Sequence, residues 1–171
     1  MTLRFLTHDD FHHISALQDT IINHLRQYSN PRFIIKRPDE YITEHLSNPH
    51  AMVGYAVDGR HIAQAIYHAP TEFNIAELGV DILPEYDHGD RVSVLQGIVI
   101  HPEFQGRGYM KMILADWQDW TKKQGIRHLA ARTEAHHEAS KFNFKKAGFK
   151  VTQTIVDPYD NASVCILHKY I

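Results

Sequence analysis

Cysteine is nearly absent from this 171-residue chain, where Cys165 stands alone. A single cysteine leaves no internal disulfide and no dithiol redox pair. Long apolar runs are missing too. Nothing approaches the roughly 18 residues that a membrane helix requires. The first ten residues lack an apolar core followed by small residues, so no secretory signal is read there. These absences lead to the expectation of a cytoplasmic protein with no membrane partner. Charge of one sign is also not in excess, with 18 Lys and Arg against 20 Asp and Glu. A net charge of -2, with no basic run interleaved with aromatics, argues against nucleic acid as the main partner. There is no repeat, low-complexity tract or linker, so one domain over residues 1–171 is expected.

Histidine is what the chain has in quantity, 14 in all. His12-His13 and His136-His137 are adjacent, so on a helix their rings diverge. His8 and His12 share helical spacing, but no carboxylate is in register with them and no metal site is read. The composition is otherwise ordinary for a globular domain, 43% apolar and 22% charged.

In chain order, alternation predicts a strand over 2–6. Asp9 or Asp10 caps a helix whose apolar positions are Phe11, Ile14, Leu17, Ile21 and Leu25. Asn30-Pro31 breaks the chain, and Pro38-Asp39-Glu40 opens a second helix that ends near Asn48-Pro49. Asp58-Gly59 between apolar runs marks a hairpin over 51–68. Positions 70–90 form a long, carboxylate-rich insertion that covers a cleft, joins a dimer contact or lengthens the adjacent strands. A fourth strand follows over 91–100, then a helix from about Gly108 to Gly125 and a strand over 126–133. A fourth helix spans 135–147, and a last hairpin covers 149–170. The order β-α-α-β-β-β-α-β-α-β-β predicts a mixed α/β sheet with helices on both faces.

The stretch from Val92 to Gln124 organises the rest. A strand ends at His101-Pro102, a glycine loop follows, and a helix begins. Backbone N–H groups and the positive end of a helix dipole then converge on one spot, which suits a phosphate or pyrophosphate. Gly106 and Gly108 let the main chain approach such an anion closely; the plain alternative is a tight turn before a helix. Arg107 adds a phosphate contact or is a solvated loop charge. His101 organises the strand end.

Gln105-Gly106-Arg107-Gly108-Tyr109-Met110, just after the apolar-His-Pro strand end, resembles the acetyl-CoA signature Gln/Arg-x-x-Gly-x-Gly/Ala of the GNAT N-acetyltransferases. Lys145-Lys146-Ala147-Gly148-Phe149 is similar to that family's last block. The resemblance implies a mixed, mostly antiparallel twisted sheet of about seven strands with four helices. It implies acetyl-CoA as cosubstrate and an amine of a small molecule, peptide or protein as acceptor, acetylated by direct attack in a ternary complex. By the same resemblance, Gln105, Gly106, Arg107, Gly108, Tyr109 and Met110 cradle the CoA pyrophosphate, and the backbone of Ile98, Val99 and Ile100 pairs with the pantetheine arm.

The chain departs from the pattern in three places. Met110 stands where Gly or Ala is usual. His137 falls where relatives often carry an asparagine that contacts the cofactor. Phe144 falls where many carry a tyrosine that protonates the CoA thiolate. A helical stripe of Ala135, Ala139, Phe142 and Lys146-Ala147 is taken as the core face, which turns Phe144 toward bound CoA, or into a gap under the sheet. No general base is named; Glu77, Asp81, Glu85 and Asp90 lie upstream of the fourth strand. The acceptor side is expected from the first two helices and the 70–90 segment, with Tyr28, Phe33, Tyr41 and Phe73. A homodimer through the C-terminal strands or the insertion is compatible with the sequence. The alternative reading is an acyl-CoA-binding GNAT-fold protein that senses rather than turns over. A nucleotide-binding domain is disfavoured, because no Gly-Lys-Ser/Thr follows the glycines.

Overall fold

A computed structural model describes residues 2–27, 36–48, 52–57, 59–68, 92–156 and 161–171. The 70–90 insertion lies outside the described residues, as do the breaks at Asn30-Pro31 and Pro49 and the 157–160 turn. So do the aromatics Tyr28, Phe33 and Phe73 and the carboxylates Glu77, Asp81, Glu85 and Asp90. The strands form a seven-stranded sheet in the order β1-β2-β3-β4-β5-β7-β6. In it β1 is Thr2–Phe5, β2 Met52–Val57, β3 Arg60–His68, β4 Val92–Ile100, β5 His128–Glu134, β6 Lys150–Val156 and β7 Ser163–Tyr170. Among the described residues four α-helices accompany them: α1 Phe11–Gln27, α2 Asp39–Ser47, α3 Tyr109–Lys123 and α4 Glu138–Lys146. The expected element order is the observed one. The chain divides into two compact units, Met1–Tyr67 with Gly97–Met110, and His68–Gln96 with Lys111–Ile171.

In the first unit, β1 pairs antiparallel with β2, and β2 with β3. The periodic apolar positions of α1 serve two clusters. Ile14 joins Leu6, Ile42, Leu46, Met52 and Ile66, while Leu17 and Ile21 pack on Val99 of β4. The predicted stripe Phe11, Ile14, Leu17, Ile21 and Leu25 is therefore the packed face.

The entry to α1 is a 3-10 turn, His8–Asp10, capped by Thr7. The Asp10 carboxylate accepts the Thr7 N–H at 2.9 Å and both ends of the Arg4 guanidinium fork. The Arg4 fork, helped by the Thr7 N–H, holds the Asp10 carboxyl down to about 2 from its ordinary 3.8. A depressed carboxyl stabilises the fold above its unfolded value, near 4, and that contribution fades as pH falls toward 2. Arg4 is half exposed, with 52% of its side chain accessible, so solvent screens the pair. Asp10→Asn is expected to cost about 1 kcal/mol at pH 7 and almost nothing at pH 2. Urea unfolding at the two pH values measures the difference.

In the second unit, β4 and β5 pair in parallel from Val92↔His128 to Leu95↔Ala131. β7 pairs antiparallel with both β5 and β6. Trp117 of α3, fully buried, stacks on Phe149 with ring centroids 5.7 Å apart. Its indole Nε1 donates to Ser93 Oγ at 2.9 Å, and that hydroxyl donates to the His68 carbonyl at 2.7 Å, so neither the indole nor the hydroxyl is stranded.

The helical phase assigned to α4 from sequence needs correction. The helix begins at Glu138, three residues later than predicted, because His137 caps it: its Nδ1 accepts the Ser140 N–H at 3.2 Å. Ala135 therefore lies outside the helix and cannot set its core face. Phe142 is 56% exposed, with the Lys146 ammonium 4.6 Å from its ring centroid. Phe144 is the buried residue, set edge-on against Phe149 at 5.2 Å.

Candidate functional site

β4 leaves β5 after Leu95 and then takes a left-handed turn at Gly97, where φ is +58°. The segment Ile98–Ile100 lies beyond the described pairing with β5. Val99 points into the α1 cluster, while Ile98 and Ile100 are half-buried.

The chain then folds into a short 3-10 turn, Pro102–Phe104, capped by His101. Proline at the first position suits such a turn, because the N–H it lacks would have had no partner there. The Phe104 N–H donates to the His101 carbonyl at 2.8 Å. The Gln105 side-chain amide donates to the Ile100 carbonyl at 3.2 Å, across the turn. Gln105 thus spends its side chain on holding the loop's entry.

Gly106 and Gly108 adopt φ of +73° and +86°, a region that costs other residues about 1 kcal/mol or more. Among the described residues, a Cβ built on either one meets nothing within 4 Å. The glycines are therefore not there to avoid a clash within the chain; the space in front of them is open. Tyr109 starts α3, buried between the rings of Tyr55 at 5.7 Å and Phe104 at 6.3 Å, and anchors the helix start. Met110, half-buried, follows in the first turn. Arg107 is exposed, with its guanidinium carbon 5.0 Å from the Phe104 ring centroid.

The N–H groups of Gly106, Arg107, Gly108, Tyr109 and Met110 have no acceptor among the described residues. Five successive donors stand at the positive end of a 15-residue helix, an arrangement of the kind that suits an anion. The structure thus brings Ile98–Ile100 and Gln105–Met110 together in one unit. His137 and Phe144 lie in the other, the first as the cap of α4 and the second as a core residue.

Two grooves lie beside this segment, both within the first unit. One of about 550 Å³ is lined by Thr20, His24 and Gln27 of α1 with His101 and Glu103. A smaller one of about 290 Å³ involves His13 and Thr20 with Arg60, His61 and His101. Burial holds the His61 ring below its ordinary range, against the opposing effect of its 2.9 Å hydrogen bond to Gln64. Sequence reasoning missed Arg60 and Glu103. Arg60 reaches His101 across 41 positions of chain, and no local pattern announces such a contact. Among the described residues, no group of three or more His, Cys, Asp and Glu side chains is arranged to hold a metal ion, and no helix is long and apolar enough to cross a membrane.

The family model of the acetyltransferase (GNAT) family matches residues 19–149, most of the chain. The chain belongs to the GNAT acetyltransferase family. This GNAT chain is 31% identical over 65 residues to the aminoglycoside N(6')-acetyltransferase type 1 of Salmonella typhimurium, a match covering 38% of the chain and 45% of that protein. The corresponding protein of Stenotrophomonas maltophilia matches at the same identity over 42% of its length. The match thus spans less than half the length of these curated relatives. Likeness to solved structures extends over nearly the whole chain. A ribosomal-protein-alanine N-acetyltransferase from Brucella melitensis superposes with a TM-score of 0.72 at 18% identity, covering all of both chains. A GNAT-family acetyltransferase from Streptococcus agalactiae gives 0.74 at 15%, covering 99% of this chain and 95% of the other. A Salmonella typhimurium protein solved with its cofactor acetyl-CoA gives 0.69 at 16%, covering 99% and 92%. At such identities the likeness is one of fold, and the fold is the GNAT fold.

Proposed function

We propose that this chain is an N-acetyltransferase that moves an acetyl group from acetyl-CoA to an amine. The observation that carries the reading is the run of five unaccepted N–H groups from Gly106 to Met110, behind two glycines whose outer space is open. A pyrophosphate fits that cradle: it offers several oxygens to successive donors and needs the close approach that a Cβ at 106 or 108 would block. The backbone of Ile98, Val99 and Ile100, beyond the end of the β4–β5 pairing, is proposed to pair with the pantetheine arm, and Arg107 to add a phosphate contact.

In the reaction, the amine lone pair attacks the thioester carbonyl, the C–S bond breaks, and the ammonium proton leaves to water or a base. Phenylalanine at position 144 has no proton to return to the departing sulfur. A thiol with a pKa of about 8.5 departs without a dedicated acid, so the step remains accessible at neutral pH. The acceptor is proposed to be an amine of a small molecule, peptide or protein. The grooves along α1 support an acceptor side there. A buried, lone Cys165 is consistent with a reducing cytoplasm as the place of action.

The test is free-thiol release from acetyl-CoA against a panel of amines, beside calorimetric titration with CoA. Saturable CoA binding and amine-dependent thiol release are expected. Binding without release for any amine would sink the enzyme reading.

A further inference from the structure

Arg60 opens β3, far in sequence from the glycine loop, yet its guanidinium closes on the turn that precedes it. Nη1 donates to Glu103 Oε2 at 2.8 Å, and Nη2 lies 2.7 Å from His101 Nε2. Its guanidinium carbon is 5.8 Å from the Phe104 ring centroid. One planar fork therefore holds the cap and two of the three residues of the 3-10 turn, and Gly106 follows two residues later. We propose that Arg60 is a positioning residue for the phosphate cradle, its fork fixing the His101–Phe104 turn that aims the N–H groups of Gly106–Met110. The role given to the loop rests on the acetyl-CoA reading above.

As an exposed ion pair, Arg60 and Glu103 alone would contribute little, with side chains 52% and 65% accessible. The contact to His101 is different, because that side chain is only 10% accessible and His101 is the residue from which the turn starts. It also dictates the state of the ring. A guanidinium is a donor only and stays charged, so Nε2 must present a lone pair and the single proton of the neutral ring sits on Nδ1. The Glu103 N–H, 3.3 Å from Nδ1, then faces another donor, and the shorter, charge-assisted Arg60 contact prevails. The charged and titratable groups around the ring are Arg60 from β3, Glu103 from the turn at 3.9 Å, and His24 from α1. Burial and then Arg60 disfavour the protonated ring, against the pull of Glu103, so the ring stays neutral and the contact intact at neutral pH.

The test has two readouts. In the unaltered protein, nitrogen-15 shifts of the His101 ring are expected to show the proton on Nδ1. In Arg60→Ala the proton moves to Nε2, as Nδ1 becomes free to accept the Glu103 N–H. In the same variant, KM for acetyl-CoA and Kd for CoA rise about 5- to 10-fold. Arg60→Lys, which reaches one acceptor at a time, recovers part of the loss. A His101 ring protonated on Nε2 in the unaltered protein would overturn the contact without any variant having to fold. Unchanged KM and Kd in Arg60→Ala would overturn the positioning role while leaving the acetyl-CoA reading standing. Absence of CoA binding by the unaltered protein would remove that reading and the cradle's role together.

Discussion

Replacing Gly106 with aspartate raises the Kd for CoA at least ~100-fold and lowers Tm by only a few degrees. The two effects separate because different physics sets them. A Cβ at position 106 meets nothing within 4 Å, so the folded chain accepts the side chain without a clash. What remains is the left-handed backbone, φ +73°, which aspartate tolerates better than most residues at a cost of about 1 kcal/mol. For a chain of this length that is about 2–4 °C in Tm. In the complex, a carboxylate takes the place where phosphate oxygens must approach. Two unit charges about 5 Å apart at an effective dielectric near 20 repel by about 3 kcal/mol, or about two decades in Kd. Calorimetric titration with CoA and thermal unfolding of the same sample read both numbers. A variant that binds CoA normally would place the phosphates elsewhere. One that unfolds would mean the loop carries structure that the open space around Gly106 gives no sign of.

Trp117→Ala has the largest expected effect on stability, roughly 3–5 kcal/mol. The indole is fully buried, stacked on Phe149, and bonded to Ser93. Its removal leaves a cavity in the second unit and takes a donor from the Ser93 hydroxyl, which keeps its own bond to the His68 carbonyl. Against a typical total of about 5–15 kcal/mol, such a loss brings the protein close to its unfolding threshold at 37 °C. Trp117→Phe keeps most of the stack and gives up the hydrogen bond, so it should cost about 1–2 kcal/mol. Urea unfolding of the three proteins gives the series directly. Equal losses for Ala and Phe would locate the stability in the Ser93 bond, and not in the stack.

The two residues also show why some of this molecule was legible in its sequence. The α1 stripe from Phe11 to Leu25 and the apolar positions of α3 repeat at helical spacing over many turns, so phase errors average out. The strand, the two glycines and the long helix in succession were legible as a strand–loop–helix unit, because each residue type is demanded by its backbone. α4 failed for the converse reason. It is nine residues long, and an early start at Ala135 rotated the face assigned to Phe142 and Phe144. The His137 cap that sets the true start makes an Nδ1 to N–H bond, which nothing in the letters distinguishes from a surface histidine. Arg60 was illegible for another reason: its partners at 101, 103 and 104 meet it only through tertiary pairing, and Arg60 sits in a hairpin whose own pattern is fully explained by the turn at Gly59. Long-range contacts of single polar side chains leave no periodic trace.

The central claim is that backbone N–H groups of the loop hold the CoA pyrophosphate. Amide proton and nitrogen shifts of Gly106, Arg107, Gly108, Tyr109 and Met110, followed as CoA is added, test it most directly. The account predicts large shifts at these five amides, saturating together with the calorimetric Kd, with the glycines moving furthest. Saturable CoA binding that leaves all five amides in place would contradict it.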